Sequence, residues 1–141
     1  MSAPLVLECK TRQEILDTFP LMRQLRPHLT SEEYLSRVTQ ACETQGYHLF
    51  RERNGNALIG MRILIDLVHG RHLYIDDLVV DENVRSRGVG RALLAFAEEF
   101  AREHACPGLR LCTGTDNLRG KKFYESLGWD PRAIAYKKKL T

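Results

Sequence analysis

The sequence predicts an α/β fold, a mixed and mostly antiparallel central sheet with helices on both faces, in a single domain over residues 1–141. Three observations predict it. Two threonine capping boxes open early helices, Asn54-Gly55-Asn56 separates two apolar runs as a hairpin turn, and a long amphipathic stretch follows a strand-like run after Val80. The element order reads β-α-α-β-β-β-α-β-α-β, without repeats, low-complexity tracts or linkers.

Leu5 to Cys9 predicts the first strand. Thr11 and Glu14 form a capping box for a helix whose apolar face is Ile15, Leu16 and Phe19. Pro20 should kink or restart that helix, because proline lacks an N–H and clashes with the preceding turn. Thr30 and Glu33 open a second helix carrying Leu35, Val38 and Cys42, which stops near Gly46. Tyr47–Arg53 and Ala57–Ile65 are the hairpin strands, and His69-Gly70-Arg71 turns the chain into a third antiparallel strand, His72–Val80. Val89, Leu93, Phe96 and Phe100 recur at helical spacing. Pro107-Gly108 breaks that helix, Leu109–Cys112 is a short strand, and Asn117–Leu127 is a helix closed by Gly128. Ile134–Leu140 is expected to be the last strand.

Composition excludes several classes. With 43% hydrophobic and 28% charged residues the chain is an ordinary globule, and a net charge of +3 with interleaved signs argues against nucleic acid as a partner. A basic cluster, Lys137 to Lys139, is the exception, and a protein that binds acidic partners through it is the weakest reading. No apolar run reaches membrane-spanning length and the N-terminus lacks a signal core, so no membrane contact and a cytoplasmic location are expected. Cys9, Cys42, Cys106 and Cys112 lie too far apart for a zinc or disulfide framework and are read as reduced thiols, mostly core. The five histidines show no metal spacing, so no metal is expected.

The most informative stretch is Arg85-Ser86-Arg87-Gly88-Val89-Gly90-Arg91, between a strand end and a helix start. The first N–H groups of a helix have no internal partner and face a positive dipole end, glycines let a ligand approach the backbone, and the arginines add charge suited to a diphosphate. The plainer alternative is a tight turn with solvated arginines. The spacing fits neither a P-loop nor a dinucleotide fingerprint.

This stretch resembles the Arg/Gln-x-x-Gly-x-Gly/Ala signature of the GNAT superfamily of N-acetyltransferases. Tyr74 to Val80 (YIDDLVV) is similar to the family's fourth strand, and Asn117 to Trp129 (NLRGKKFYESLGW) to its second cofactor segment. The resemblance implies acetyl-CoA as acyl donor and direct acetyl transfer to a primary amine on a small molecule, polyamine or peptide lysine. A catalytically silent acyl-CoA sensor or interaction module is the alternative. The implied cofactor contacts are Leu78, Val79, Val80, Arg85, Ser86, Arg87, Gly88, Val89, Gly90, Arg91, Asn117 and Tyr124. Of these, the Leu78 N–H would polarise the thioester carbonyl and Val80 would pair its backbone with pantetheine.

Tyr124 is the implied general acid at the departing sulfur, or else a core aromatic on the Phe123-Tyr124-Leu127 stripe; Asn117 equally fits a helix N-cap. An ammonium must lose a proton before it can attack. Asp76 is the first candidate to receive it, directly or through water, since a carboxylate among apolar strand residues is costly unless used or paired. Asp77 should point to the opposite face by strand alternation, unless a bulge shifts the register. The resemblance places the acceptor groove beside the early helices, so Arg26, His28, Glu32, Glu33 and Tyr34 are exposed candidates for acceptor binding, with Asp77. His72 is a candidate for a proton relay or a structural strand-end histidine. A homodimer through the C-terminal strand is common among similar proteins.

Overall fold

A computed structural model describes residues 5–85 and 87–141. The elements are β1 (Val6–Glu8), α1 (Arg12–Asp17), α2 (Phe19–Leu25), α3 (Ser31–Gln45), β2 (His48–Glu52), β3 (Ala57–Asp66), β4 (Gly70–Val80), a 3-10 turn (Glu82–Val84), α4 (Val89–Glu103), β5 (Leu109–Leu111) and α5 (Leu118–Ser126). Both capping boxes form, with Thr11 accepting from the Glu14 N–H and Thr30 from the Glu33 N–H. Pro20 falls in the first turn of α2, where its missing N–H costs nothing, and the chain restarts there as a separate helix. Gly46 ends α3 in the left-handed conformation.

Strand order in the mixed sheet follows the chain, β1-β2-β3-β4-β5, and the first three pairings are antiparallel. The β2–β3 hairpin is closed by a buried carboxylate: Glu52 accepts hydrogen bonds from the Asn54 and Asn56 N–H groups, at 3.0 and 3.1 Å. A buried charge is tolerated only when so satisfied. Strand alternation gives the sheet two apolar faces. Leu49, Leu58 and Val79 pack with Ile15, Met22, Tyr34 and Val38 of the first three helices. On the other face Phe50 meets Phe96 and Phe100 of α4 edge-on, at centroid distances of 5.0 and 5.8 Å. Leu93, Ala97 and Phe100 of that helix are buried, whereas Val89 and Phe96 are half-buried.

The C-terminal strand and the cysteines depart from the sequence expectation. By contact the chain divides into two compact units, one ending at Arg110 and the other running from Leu111 to Thr141. In the second, α5 forms as expected but Ile134–Leu140 is not a strand: among the described residues no strand or helix follows Ser126, and Ile134, Tyr136 and Leu140 are exposed. Alternation of apolar residues supplies a strand with a face; it does not supply a neighbour for its backbone. The cysteines also divide evenly rather than lying mostly in the core. All four are free, with Cys9 and Cys106 buried and Cys42 and Cys112 exposed. Burial raises the Cys9 thiol to about 11, keeping it protonated.

Candidate active site

The site begins with an irregularity in β4. Tyr74 opposes Arg62 and Ile75 opposes Met61, but Asp77 opposes Gly60, so Asp76 is an extra residue on its strand. This β-bulge cancels one step of the pleat and brings both carboxylates to one side of the sheet. Asp76 and Asp77 line a single cavity of ≈ 420 Å³ with Arg26, Tyr34, Tyr47 and Arg62. Strand alternation alone puts the two acids on opposite faces; the bulge overturns that expectation.

Each carboxylate has a dedicated arginine. Arg62 binds Asp76 through both Nε and an outer nitrogen, at 2.9 and 2.8 Å, and its other arm donates to the Gln45 side chain at 3.3 Å. Burial raises the Asp76 carboxyl above its ordinary range, with Arg62 opposing the rise. Arg26, at the end of α2, donates twice to Asp77 Oδ1, at 3.2 and 3.0 Å, and once to the Asp76 backbone carbonyl at 3.1 Å. That last bond holds the bulge itself. On the other side of Asp77, the Tyr47 hydroxyl donates to Oδ2 at 2.7 Å. Burial first, then the charge of Asp77, pushes the Tyr47 phenol well above its usual value, so it stays a donor.

Gly60 makes this possible. A Cβ there would collide with the Tyr47 hydroxyl and ring, so only glycine lets the tyrosine reach under the bulge.

The bulge also sets which way the main chain faces. Asp81 N–H bonds the Asn56 carbonyl at 2.8 Å, making that pair a hydrogen-bonded one in the β3–β4 ladder. Because bonded and non-bonded pairs alternate in an antiparallel ladder, Asp77 and Val79 turn their peptide groups toward β3, and Leu78 and Val80 turn theirs to the opposite edge. On that edge, before the bulge, the Leu73 N–H bonds the Gly108 carbonyl. With three residues, β5 is far shorter than the eleven of β4.

Beyond β4, Asp81 caps the 3-10 turn and Gln24 of α2 accepts the Glu82 N–H at 3.0 Å, steadying the approach to α4. Gly88 is the N-cap of α4 with φ +80°, a left-handed conformation that favours glycine. As glycine caps with no side chain, the first N–H groups of the helix are left to solvent or ligand. Arg85, Arg87 and Arg91 are exposed around this turn; Ser86 lies outside the described residues.

The remaining expected residues fall as follows. Arg26, His28 and Tyr34 line the cavity, and Glu32 and Glu33 are exposed in the first turn of α3. Tyr34 is not exposed as expected but 2% accessible. Thr18 spends its proton on the Ile15 carbonyl, so the Tyr34 hydroxyl donates to Thr18 Oγ1 at 2.7 Å, and burial raises its pKa to about 12. That tyrosine is a core strut whose ring forms one wall. His72 is buried and is not among the cavity residues.

In the second unit, Asn117 caps α5 by accepting the Gly120 N–H at 2.9 Å, while its amide donates to Thr113 Oγ1 at 2.8 Å. Tyr124 packs edge-on against Phe123 and Trp129, and burial raises its phenol above the ordinary value. Sequence reasoning missed Tyr47, Arg62, Gln24 and Gln45. Arg62 left the clearest signal, a cation inside the apolar run Ala57–Ile65 facing a strand that also carries acids.

A protein-family model described as the acetyltransferase (GNAT) family matches residues 11–129. An uncharacterized N-acetyltransferase of Bacillus subtilis, YhdJ, is 29% identical over 132 residues, covering 91% of this chain and 93% of the relative. A thialysine N-ε-acetyltransferase of Bos taurus is 32% identical over 59 residues, covering 42% of this chain and 35% of its own. Among solved structures, the aminoglycoside N-acetyltransferase AAC(6′)-Iy in complex with CoA superposes with a TM-score of 0.78 at 20% identity, covering 96% of this chain and 95% of the other.

Replacing Gly60 with Ala is expected to cost about 1–3 kcal/mol of stability, the usual range for overpacking, because Tyr47 must leave Asp77. Urea unfolding measures the loss. A cost below about 0.5 kcal/mol, within surface-substitution scatter, would show that the Tyr47–Asp77 contact is not built as described.

Proposed function

Because the chain belongs to the acetyltransferase (GNAT) family, we propose that it moves an acetyl group from acetyl-CoA directly to the primary amine of a small acceptor bound in the Asp76–Asp77 cavity. One observation carries the reading. The bulge puts paired carboxylates on the acceptor side of β4, and just after it the Leu78 and Val80 main chain turns to the opposite edge. That edge suits the amide-rich pantetheine arm, and the uncapped start of α4 with three nearby arginines suits the diphosphate. Acetyl-CoA supplies the activated thioester; everything else falls to the chain.

In this reading the Leu78 N–H lies at the edge where the carbonyl oxygen gains charge and serves as its donor. Asp76 receives the ammonium proton through water. Its bidentate hold on Arg62 argues against direct abstraction, while its raised pKa makes it a better base than an ordinary aspartate. Tyr124, protonated at neutral pH, returns a proton to the sulfur as the thiolate leaves. No covalent enzyme intermediate is required. The open cavity supports turnover over a silent acyl-CoA sensor, for which a blocked acceptor site would be the sign.

The cavity also bears on the acceptor. Arg26, Arg37 and Arg62 line it against Asp76 and Asp77, and each of those acids already holds a guanidinium. A second cationic centre on a polyamine would therefore find no unpaired carboxylate among the lining residues. An amine that also carries a carboxylate would meet Arg37, whose only acidic partner among the described residues is Glu33 on the exposed first turn of α3 at 3.5 Å, a surface pair weak enough to exchange. The bovine relative is named for acetylating the ε-nitrogen of thialysine, itself an amino acid.

Purified protein should release free thiol from acetyl-CoA faster with diamino acids than with spermidine, and mass spectrometry should find one added acetyl group on the product. Tyr124→Phe should bind acetyl-CoA normally and turn over about 10²–10⁴-fold more slowly, the usual contribution of a positioned acid. Unchanged turnover would remove Tyr124 from the mechanism.

Gly88→Glu places bulk and negative charge at the start of α4 and should abolish CoA binding by calorimetry. Normal affinity in the folded variant would count against the cradle.

Arg62→Met tests the base by sign. Arg62 opposes the burial that raises the Asp76 pKa, so its removal should move the acidic limb of kcat/KM to higher pH. A limb that stays in place assigns the deprotonation to another group.

A further inference from the structure

The β3–β4 hairpin carries a side-chain cluster that plays no part in the cavity. Asp66 ends β3, residues 67–69 form the loop, and Gly70 enters β4 with φ +63° opposite Asp66. This short connection places Asp66, His69 and His72 together, with one ligand-capable atom from each within 4.8 Å of the others. No metal spacing is evident among the histidines of the sequence, because the third donor is the aspartate on the preceding strand.

The histidine tautomer is already suited to coordination. His72 Nδ1 lies 3.0 Å from the Gly70 carbonyl, which can only accept, so Nδ1 carries the proton and Nε2 offers its lone pair. A metal-binding imidazole usually donates its other ring N–H to such a backbone carbonyl, which fixes the tautomer and the ring orientation. His72 is 2% accessible, fixing the ring, while His69 is exposed and Asp66 is half-buried, its Oδ1 accepting the His69 backbone N–H at 2.6 Å. The lone pair is now met by Arg110, whose Nε donates to His72 Nε2 at 3.3 Å and whose outer nitrogen lies 3.8 Å from Asp66 Oδ2. His69 Nδ1 sits 3.1 Å from both oxygens of the same carboxylate. Hydrogen-bond donors from Arg110 and His69 thus converge on one carboxylate and one imidazole lone pair, the positions that a cation would take.

We propose that Asp66, His69 and His72 form a binding site for a divalent ion of the zinc type, with Arg110 as the built-in competitor that the ion displaces. Two imidazole nitrogens and one carboxylate oxygen are a borderline-soft donor set, and the exposed side leaves a fourth position for water. Bonds of about 2.0–2.1 Å would draw tetrahedral donors to about 3.3 Å apart. His72 Nε2 and Asp66 Oδ2 stand 3.9 Å apart, so rotation of the exposed His69 ring and a small shift of the Asp66 carboxylate supply the contraction. The bound ion would tie the end of β3 to the start of β4. The site stands apart from the acetyl-transfer reading and survives its failure.

The test uses metal-stripped full-length protein, titrated with zinc chloride by calorimetry and with cobalt(II) followed by its visible tetrahedral absorption. Wild type should bind one equivalent of each. Asp66→Asn keeps an oxygen to accept the His69 N–H and His69→Ala alters an exposed residue, so both should stay folded and weaken binding at least about tenfold; Arg110→Met should strengthen it by a similar factor. Absence of binding in both wild type and Arg110→Met would overturn the site. So would unchanged affinity in the Asp66 and His69 variants, which would place the ion elsewhere.

Discussion

One hydrogen bond organises this molecule: the guanidinium of Arg26 on the Asp76 carbonyl, with the same side chain clamping the Asp77 carboxylate. A bulge leaves a residue out of the ladder, and its carbonyl needs a partner from outside the sheet. Arg26 supplies one from the end of α2. The position of α2 in turn depends on Pro20, which ends α1 and restarts the chain in a new direction. Tyr47 completes the clamp from the opposite side, admitted by the bare backbone of Gly60. Local sequence choices in three separate elements therefore meet at one peptide.

Two consequences follow from that peptide, one for side chains and one for main chain. The lost pleat step gathers Asp76 and Asp77 over a common cavity, where each is neutralised by its own arginine. It also reverses which residues face β3, so that Leu73 points its N–H to the β5 edge before the bulge and Leu78 and Val80 do so after it. An unbulged strand would deliver only one acid to the cavity. The paired arginines leave the carboxylates in a polar, charge-balanced setting in which burial and ion pairing pull the Asp76 pKa in opposite directions.

Much of this fold was legible in the sequence. The capping boxes at Thr11 and Thr30, the break at Pro20, the Asn54-Gly55-Asn56 hairpin and the α4 helix all arise from interactions within a few residues, and each formed, with Leu93 and Phe100 of the α4 stripe buried and Val89 and Phe96 half-buried. What failed depended on partners distant in sequence. Ile134–Leu140 has the alternation of a strand but no pairing edge, Tyr34 looked like a surface residue until Thr18 received its hydroxyl, and the bulge cannot be read from YIDDLVV without the opposing Gly60. The Asp66, His69 and His72 cluster was hidden for the same reason, since a turn rather than a periodic element brings it together. The GNAT resemblance identified the family because its motifs are local strings, whereas the arginine clamps bridge residues some fifty and fourteen positions apart.

The outward-facing peptide groups of Leu78 and Val80 bear on how such a chain can diverge. A ligand held by main-chain N–H and C=O groups is held whatever side chains those residues carry, provided that the bulge keeps its register. Mutational drift is then tolerated along the strand, while the cavity wall, which includes side chains from α2, α3 and β3, is the part whose shape and charge change with each replacement. A superposition at TM-score 0.78 with only 20% identity shows how far the side chains can change while the backbone fold stays the same.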